Sequence, residues 1–137
     1  MDLERFVAAS DTTHDRALAE LRAGRKTSHW MWWEFPQLLL GSSPTSVEFA
    51  LSGREEARAY LTHPVLGARL RENCQALLDG AADDAGAVFG PVDEVKLRSS
   101  LTLFAACSDE DLFGRVLVKF FGGQTDPATE RLLDSAG

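Results

Sequence analysis

Along most of this chain the hydrophobic positions recur with the 3.6-residue period of an amphipathic helix, and no stretch alternates with the two-residue period of a half-buried strand. Leu3, Phe6 and Val7 predict a short first helix; Asp11 or Thr12 then offers an N-cap for a second, which carries Ala17, Leu18 and Leu21 inward and stops at Gly24. Ser43 and Pro44 are a cap and a first helical residue, opening a short helix with Val47, Phe49, Ala50 and Leu51. Ser52 caps the next, with Ala57, Tyr60 and Leu61 facing in and Glu55, Glu56 and Arg58 facing out. Pro64 starts a helix whose stripe is Leu66, Leu70, Cys74 and Leu77, ending near Asp79-Gly80.

Residues 81–90 read as a loop or a single helical turn that packs Val88 and Phe89. Gly90-Pro91 opens a further helix, with Asp93 and Glu94 in its first turn, where the helix dipole favours acids, and Leu97, Leu101 and Phe104 on its apolar face. Ser108 as cap and Asp111 at N3 introduce a helix on which Leu112, Phe113, Val116, Leu117, Phe120 and Phe121 cover so wide an arc that it is expected to be the central one. Gly122-Gly123 stops it, and Asp126-Pro127 starts a last helix packing Leu132 and Leu133. The expected fold is all-α: one domain over 1–137, made of seven or eight short helices.

Composition narrows the function classes. At 137 residues the chain can bury a sizeable core without disulfides or metal staples. Cys74 and Cys107 lie within apolar helical patterns, away from any CxxC or zinc spacing, and read as buried thiols of a reducing compartment. No apolar run approaches the roughly 18 residues needed to cross a bilayer, and MDLERF has no signal-peptide character, so no membrane role and a cytoplasmic location are expected. The net charge of −7 is uneven: residues 1–72 carry 9 basic and 10 acidic side chains, and residues 73–137 carry 5 basic and 11 acidic. Such a surface repels duplex nucleic acid, although the small basic spots at Arg25-Lys26 and Lys96-x-Arg98 suit a single phosphate or carboxylate.

The richest chemistry lies in GRKTSHWMWWEFPQ, residues 24–37, which holds all three tryptophans with Lys26, His29 and Glu34. If it is helical, indoles line one side while Lys26 and His29 share an adjacent strip. One reading makes Trp30, Trp32 and Trp33 core plugs, with His29 bonded to the backbone and Glu34 exposed. The other makes them a pocket wall that stacks a planar ring, with Arg25 or Lys26 meeting its charge.

Lys96, Ser99 and Ser100 form a second strip at i, i+3, i+4, bordering an apolar stripe, to be satisfied by one another and the backbone or by a bound anion. His63, before a helix-opening proline, is a cap or an acid/base, and Arg69 lies close to a buried stripe where a guanidinium wants a carboxylate or phosphate; Glu48 is that partner or an outward charge. No catalytic triad order, Walker loop, GxGxxG or metal-ligand spacing is present, so neither metal nor cofactor is expected.

The strings GRKTSHWMWWEFPQL, EARAYLTHPVLGARLRE, VFGPVDEVKLRSSLTLFAA and FFGGQTDPATERLL, in that order, resemble the small bacterial family catalogued as domain of unknown function 1810. The resemblance covers nearly the whole chain and implies a mostly helical protein. It also implies that Lys26, Ser28, His29, Trp30, Trp32, Pro36, Gln37, Ser43, His63, Pro64, Leu66, Gly67, Arg69, Leu70, Lys96, Ser99, Ser100 and Phe104 match the family motif. Trp33-Glu34 departs from the family's more usual Phe and aliphatic residue, and Leu101 stands where Met is common. The calpastatin-like label sometimes attached to that family implies a disordered protease inhibitor, which this helical patterning does not fit. A fainter similarity, in Ser43-x-x-Ser46-x-Glu48-Phe49-Ala50 and Glu56-Ala57-x-x-Tyr60-Leu61, is to a helical family acting on NAD-derived and ADP-ribosyl compounds.

Two functional expectations follow. The first is a pocket of Lys26, His29, Trp30, Trp32, His63, Arg69, Lys96 and Ser100, with Ser99 beside them, that binds a small anionic, nucleotide-like ligand. If it is an enzyme, it is a hydrolase or transferase with His29 or His63 as acid/base. The second is a non-catalytic module in which these residues form a polar core and the acidic C-terminal half meets a basic protein partner.

Overall fold

The computed structural model describes residues 2–135, and among these it contains eight helices: α1 (Glu4–Ala23), α2 (Met31–Glu34), α3 (Pro44–Glu48), α4 (Arg54–Thr62), α5 (Leu66–Asp79), α6 (Ala85–Cys107), α7 (Leu112–Phe121) and α8 (Pro127–Ser135). The only strand-like pairing among them is an isolated parallel bridge between Leu38 and Leu51. The all-α expectation holds.

The first two predicted helices are one. Asp11 and Thr12 do not cap; the helix runs through them because Thr12 and Thr13 each donate to the Ala9 carbonyl inside the same helix, and Asp11 pairs outward with Arg69. Gly24 ends α1 in the left-handed conformation (φ 74°), as its place after the last apolar position predicted. The tryptophan segment is helical only over the four residues of α2, so Lys26 and His29 lie on an irregular, non-helical lead-in.

Ser43 caps α3 by accepting from the Ser46 N–H, with Pro44 at its first position. At α4, Gly53 takes the N-cap position expected of Ser52, and the Ser52 N–H donates to Glu56 Oε1. Glu56, also 3.5 Å from the Arg5 guanidinium, is thereby buried where the pattern placed it outward. The same economy applies at α7: Ser108 Oγ accepts from the Glu110 N–H within the preceding turn, and Asp111 occupies the N-cap position with no side-chain cap.

The helical turn after Asp84 and the helix after Pro91 are joined across Gly90 (φ 83°), where the chain kinks. The straight part of α6 is the central helix, in place of α7. It is in contact with α2, α4, α7 and α8, and Leu97, Ser99 to Phe104 and Cys107 are all buried. A run of aromatic contacts crosses the core, Phe49 to Phe6 to Tyr60 to Phe104 to Phe113, with ring centroids 5.4–5.7 Å apart. Such pairs add about 0.5–1.5 kcal/mol each beyond the area they bury. Gly67 lets α5 cross close to α4, since a Cβ there would overlap the Leu61 carbonyl oxygen. Both cysteines are free and buried, and burial pushes the Cys74 thiol up, so it is inert packing.

Candidate functional site

The lead-in to α2 is held by one carboxylate. Glu20, near the end of α1, accepts from the Thr27 N–H (2.8 Å), the Ser28 N–H (3.1 Å), the Ser28 hydroxyl (2.6 Å) and Trp30 Nε1 (2.9 Å). Burial pushes the Glu20 carboxyl up, but these donors outweigh it and hold the pKa at about 2. These bonds engage the Thr27 and Ser28 N–H groups and hold the segment ahead of α2 out of helix. Glu20 also fixes Trp30, which is sealed in the core.

Lys26 and Lys96 converge on Asp93: Lys26 Nζ is 2.8 Å from Oδ2, and Lys96 Nζ is 3.0 Å from Oδ1. Burial pushes the Asp93 carboxyl up, but the two ammonium groups beside it prevail and hold it below the usual carboxylate range. Lys26 also donates to the Ser28 carbonyl and lies 5.0 Å from the Trp30 ring centroid. Lys96 Nζ lies 4.3 Å from the Trp32 centroid, within cation–π range. Two cations sharing one anion leave this trio with a net positive charge on a strongly acidic protein.

Trp32 and Lys96 line a groove of about 470 Å³ between α2, α6 and the start of α8. Leu40, Val92 and Val95 supply apolar walls, and the polar lining is completed by Gln37, Ser99 and Asp126. Ser99 Oγ is 3.0 Å from both the Val95 carbonyl and Asp126 Oδ2. The same Asp126 oxygen caps α8 by accepting from the Thr129 N–H and hydroxyl, and Arg98 lies 3.8 Å from its other oxygen. Asp126 therefore anchors α8 to α6 and is committed. Gln37 is not: its side-chain amide lines the groove and makes no hydrogen bond among the described residues.

The other expected site residues lie elsewhere. His29 is exposed on the lead-in, outside the groove lining. His63 is a cap, with Nδ1 accepting from the Val65 and Leu66 N–H groups at 3.2 Å each. Ser100 is fully buried with an unpartnered hydroxyl, and it does not line the groove. Arg69 pairs with Asp11 at 2.8 Å and donates to Ser10 Oγ at 3.1 Å. Glu48 is not its partner; it is exposed, and its backbone carbonyl accepts from Arg5.

Arg69 belongs to a second polar cluster that the sequence did not signal. Glu34 is 1% exposed, contrary to the exposed position expected for it, and its carboxylate accepts from Ser10, Thr13 and Asn73 at 3.0–3.2 Å. His14 Nδ1 lies 2.9 Å from Glu34 Oε1, and its Nε2 lies 3.4 Å from Glu72. Burial works against charge on His14, but Glu34, aided by Glu72, outweighs it and raises the imidazole pKa above 6.5. Trp33 donates to Thr13, and Tyr60 donates to the Trp33 carbonyl, so this cluster ties α1, α2, α4 and α5 together.

The DUF1810 family, described as proteins of unknown function, matches residues 1–133. The chain belongs to this family. It is also similar to a solved structure, the conserved hypothetical protein Rv1873 from Mycobacterium tuberculosis. The two are 46% identical with a TM-score of 0.95, over 97% of this chain and 96% of that one. No curated protein matches. Among the described residues no helix is long and apolar enough to cross a membrane, and no group of three or more His, Cys, Asp or Glu side chains is placed to hold a metal ion.

Residues missed by sequence reasoning are Glu20, Asp93, Asp126 and His14. Asp93 and Asp126 look like ordinary helix-start acids until the fold brings Lys26 and Ser99 to them. Gln37, matched to the family motif but given no role, carries a faint local signal: a single amide between Pro36 and the run Leu38-Leu39-Leu40.

Proposed function

We propose that this protein binds a small, planar, anionic ligand in the groove between Trp32 and the start of α8, with Lys96 meeting the ligand's charge. The observation that carries this reading is the placement of Lys96 Nζ 4.3 Å over the indole of Trp32, at the edge of an apolar groove of ligand size. An aromatic face, a cation and apolar walls at one place suit a ring bearing a phosphate or carboxylate. Asp93 keeps Lys96 and Lys26 together, and Glu20 holds the lead-in that delivers Lys26. Trp30, sealed inside, is core packing, as the alternative of a purely structural aromatic cluster requires; Trp32 is the indole that opens to the groove.

The reading is binding without turnover. His63 spends its ring nitrogen on two backbone N–H groups, His29 stands outside the lining, and Asp126 is committed to Thr129 and Ser99. The test is a thermal-shift series against phenyl phosphate, aromatic carboxylates and nucleoside monophosphates. At 100 times the dissociation constant, stabilisation reaches about 2.7 kcal/mol. A shift in the wild type that is absent in Lys96→Met supports the reading, and no shift with any of these anions contradicts it.

A further inference from the structure

From a groove side chain that has no hydrogen-bond partner among the described residues we infer a specificity determinant: Gln37 reads the hydrogen-bonding edge of a nucleobase, making the ligand a nucleoside monophosphate. This inference rests on the groove reading above. Gln37 is held from both sides along the chain, because its backbone carbonyl accepts from the Leu51 N–H at 2.9 Å, next to the Leu38–Leu51 bridge, and Pro36 precedes it in a buried position. The backbone is thus held at the groove wall, and the side-chain amide, without a partner among the described residues, opens to the groove. The contrast with its neighbours is the point. Ser99, Asp126, Lys96 and Asp93 all have protein partners in the same region.

An amide that no protein group engages, at the wall of a groove, is free to pair with a ligand. A carboxamide presents a donor and an acceptor side by side, and so pairs with a ring edge that offers an acceptor and a donor side by side. Nucleobases carry such edges, and a glutamine can pair with one bidentately. In this arrangement the base lies among Trp32, Leu40, Val92 and Val95, Gln37 pairs with its edge, and the phosphate goes to Lys96. Lys26 and Lys96 share one carboxylate, which leaves one net positive charge and so favours a monophosphate over a more highly charged polyphosphate chain.

The test measures dissociation constants of AMP, UMP and phenyl phosphate for wild type, Gln37→Leu and Gln37→Met, with ligand-free melting curves for all three proteins. Phenyl phosphate is a planar anion without a donor–acceptor edge, so it reports on the groove alone. The expected result is that one or both nucleotides bind wild type about tenfold or more tighter than phenyl phosphate, and that both variants lose this advantage while holding phenyl phosphate as before. Nucleotides that bind no tighter than phenyl phosphate, or that bind the variants as tightly as wild type, would overturn the role of Gln37 and leave the groove reading standing. Failure of all three ligands to bind wild type would overturn both. Unfolding of both variants would also count against the inference, because a side chain without partners has no bond in the fold to lose.

Discussion

The two polar clusters flanking α2 are built from similar groups and differ in whether those groups are sealed in the interior or open to a groove. Around Glu34 every carboxylate bond is made from within: Ser10, Thr13, His14 and Asn73 all point at it, and the residue is sealed. Around Trp32 the cations are paired through Asp93, but an indole and the Gln37 amide face a groove with their valences unused. A network sealed in the interior welds helices together around the Glu34 carboxylate, even with His14 Nε2 and Asn73 Oδ1 left unpaired; one that borders an opening has room for a molecule to join it.

The largest effect should come from breaking the sealed cluster. His14→Ala leaves the Glu34 carboxylate buried without its cationic partner and should cost about 3 kcal/mol in chemical denaturation. It should leave ligand affinity in the groove unchanged within about twofold, since the two clusters share no side chain.

Next in size is acid. Glu20 is held at about 2 from an ordinary 4.5, so its contribution is complete above about 4.5 and is lost as pH falls through the folded value. Stability between pH 5 and pH 2 should therefore fall by about 2 kcal/mol more in the wild type than in Glu20→Gln.

The groove should behave in the opposite sense. Lys96→Met keeps the stem that packs on Trp32 and should change stability by less than about 0.5 kcal/mol, while weakening anion binding by about tenfold or more.

The smallest effect is at alkaline pH. His14 is raised above 6.5, so the stability its protonated form contributes is fully present below about 6.5 and declines as pH rises through the raised value. A stability profile from pH 6 to 9 should show this decline in wild type and lack it in His14→Gln.

The helical frame was legible in the chain because its signals are local. Gly24 at the end of α1, Ser43-Pro44 before α3, His63-Pro64 before α5 and Gly90-Pro91 within α6 all do what their spacing implies. The misses share a different cause. Thr12, Ser52 and Glu56 were misplaced because their partners were decided by other elements or by competing backbone groups. The tryptophan segment left its helicity open, and Glu20, a residue of the preceding helix, takes the Thr27 and Ser28 N–H groups, so that only α2 is helical. Glu34 broke the aliphatic pattern, and nothing local said that His14, twenty positions earlier, would meet it in the interior.

Part of the site was visible for the same reason that it is incomplete. Lys26, Trp32, Lys96 and Ser99 stand out in the sequence by their chemistry, and the fold does gather them beside one groove and its lysine pair. His29, His63 and Arg69 stand out on equal grounds and lie in a loop, in a cap and at the edge of the Glu34 cluster. Residue type alone does not separate a side chain that a fold consumes from one it leaves open.

The central claim is that the Trp32–Lys96 groove is a binding site, and fluorescence titration of wild type, Lys96→Met and Trp32→Phe with AMP and phenyl phosphate tests it most directly. The account predicts a saturable change in tryptophan emission for wild type. That change should be strongly weakened by Lys96→Met at unchanged melting temperature, and should lose its amplitude in Trp32→Phe. A wild type that shows no saturable change, or a titration that Lys96→Met and Trp32→Phe leave intact, would contradict it.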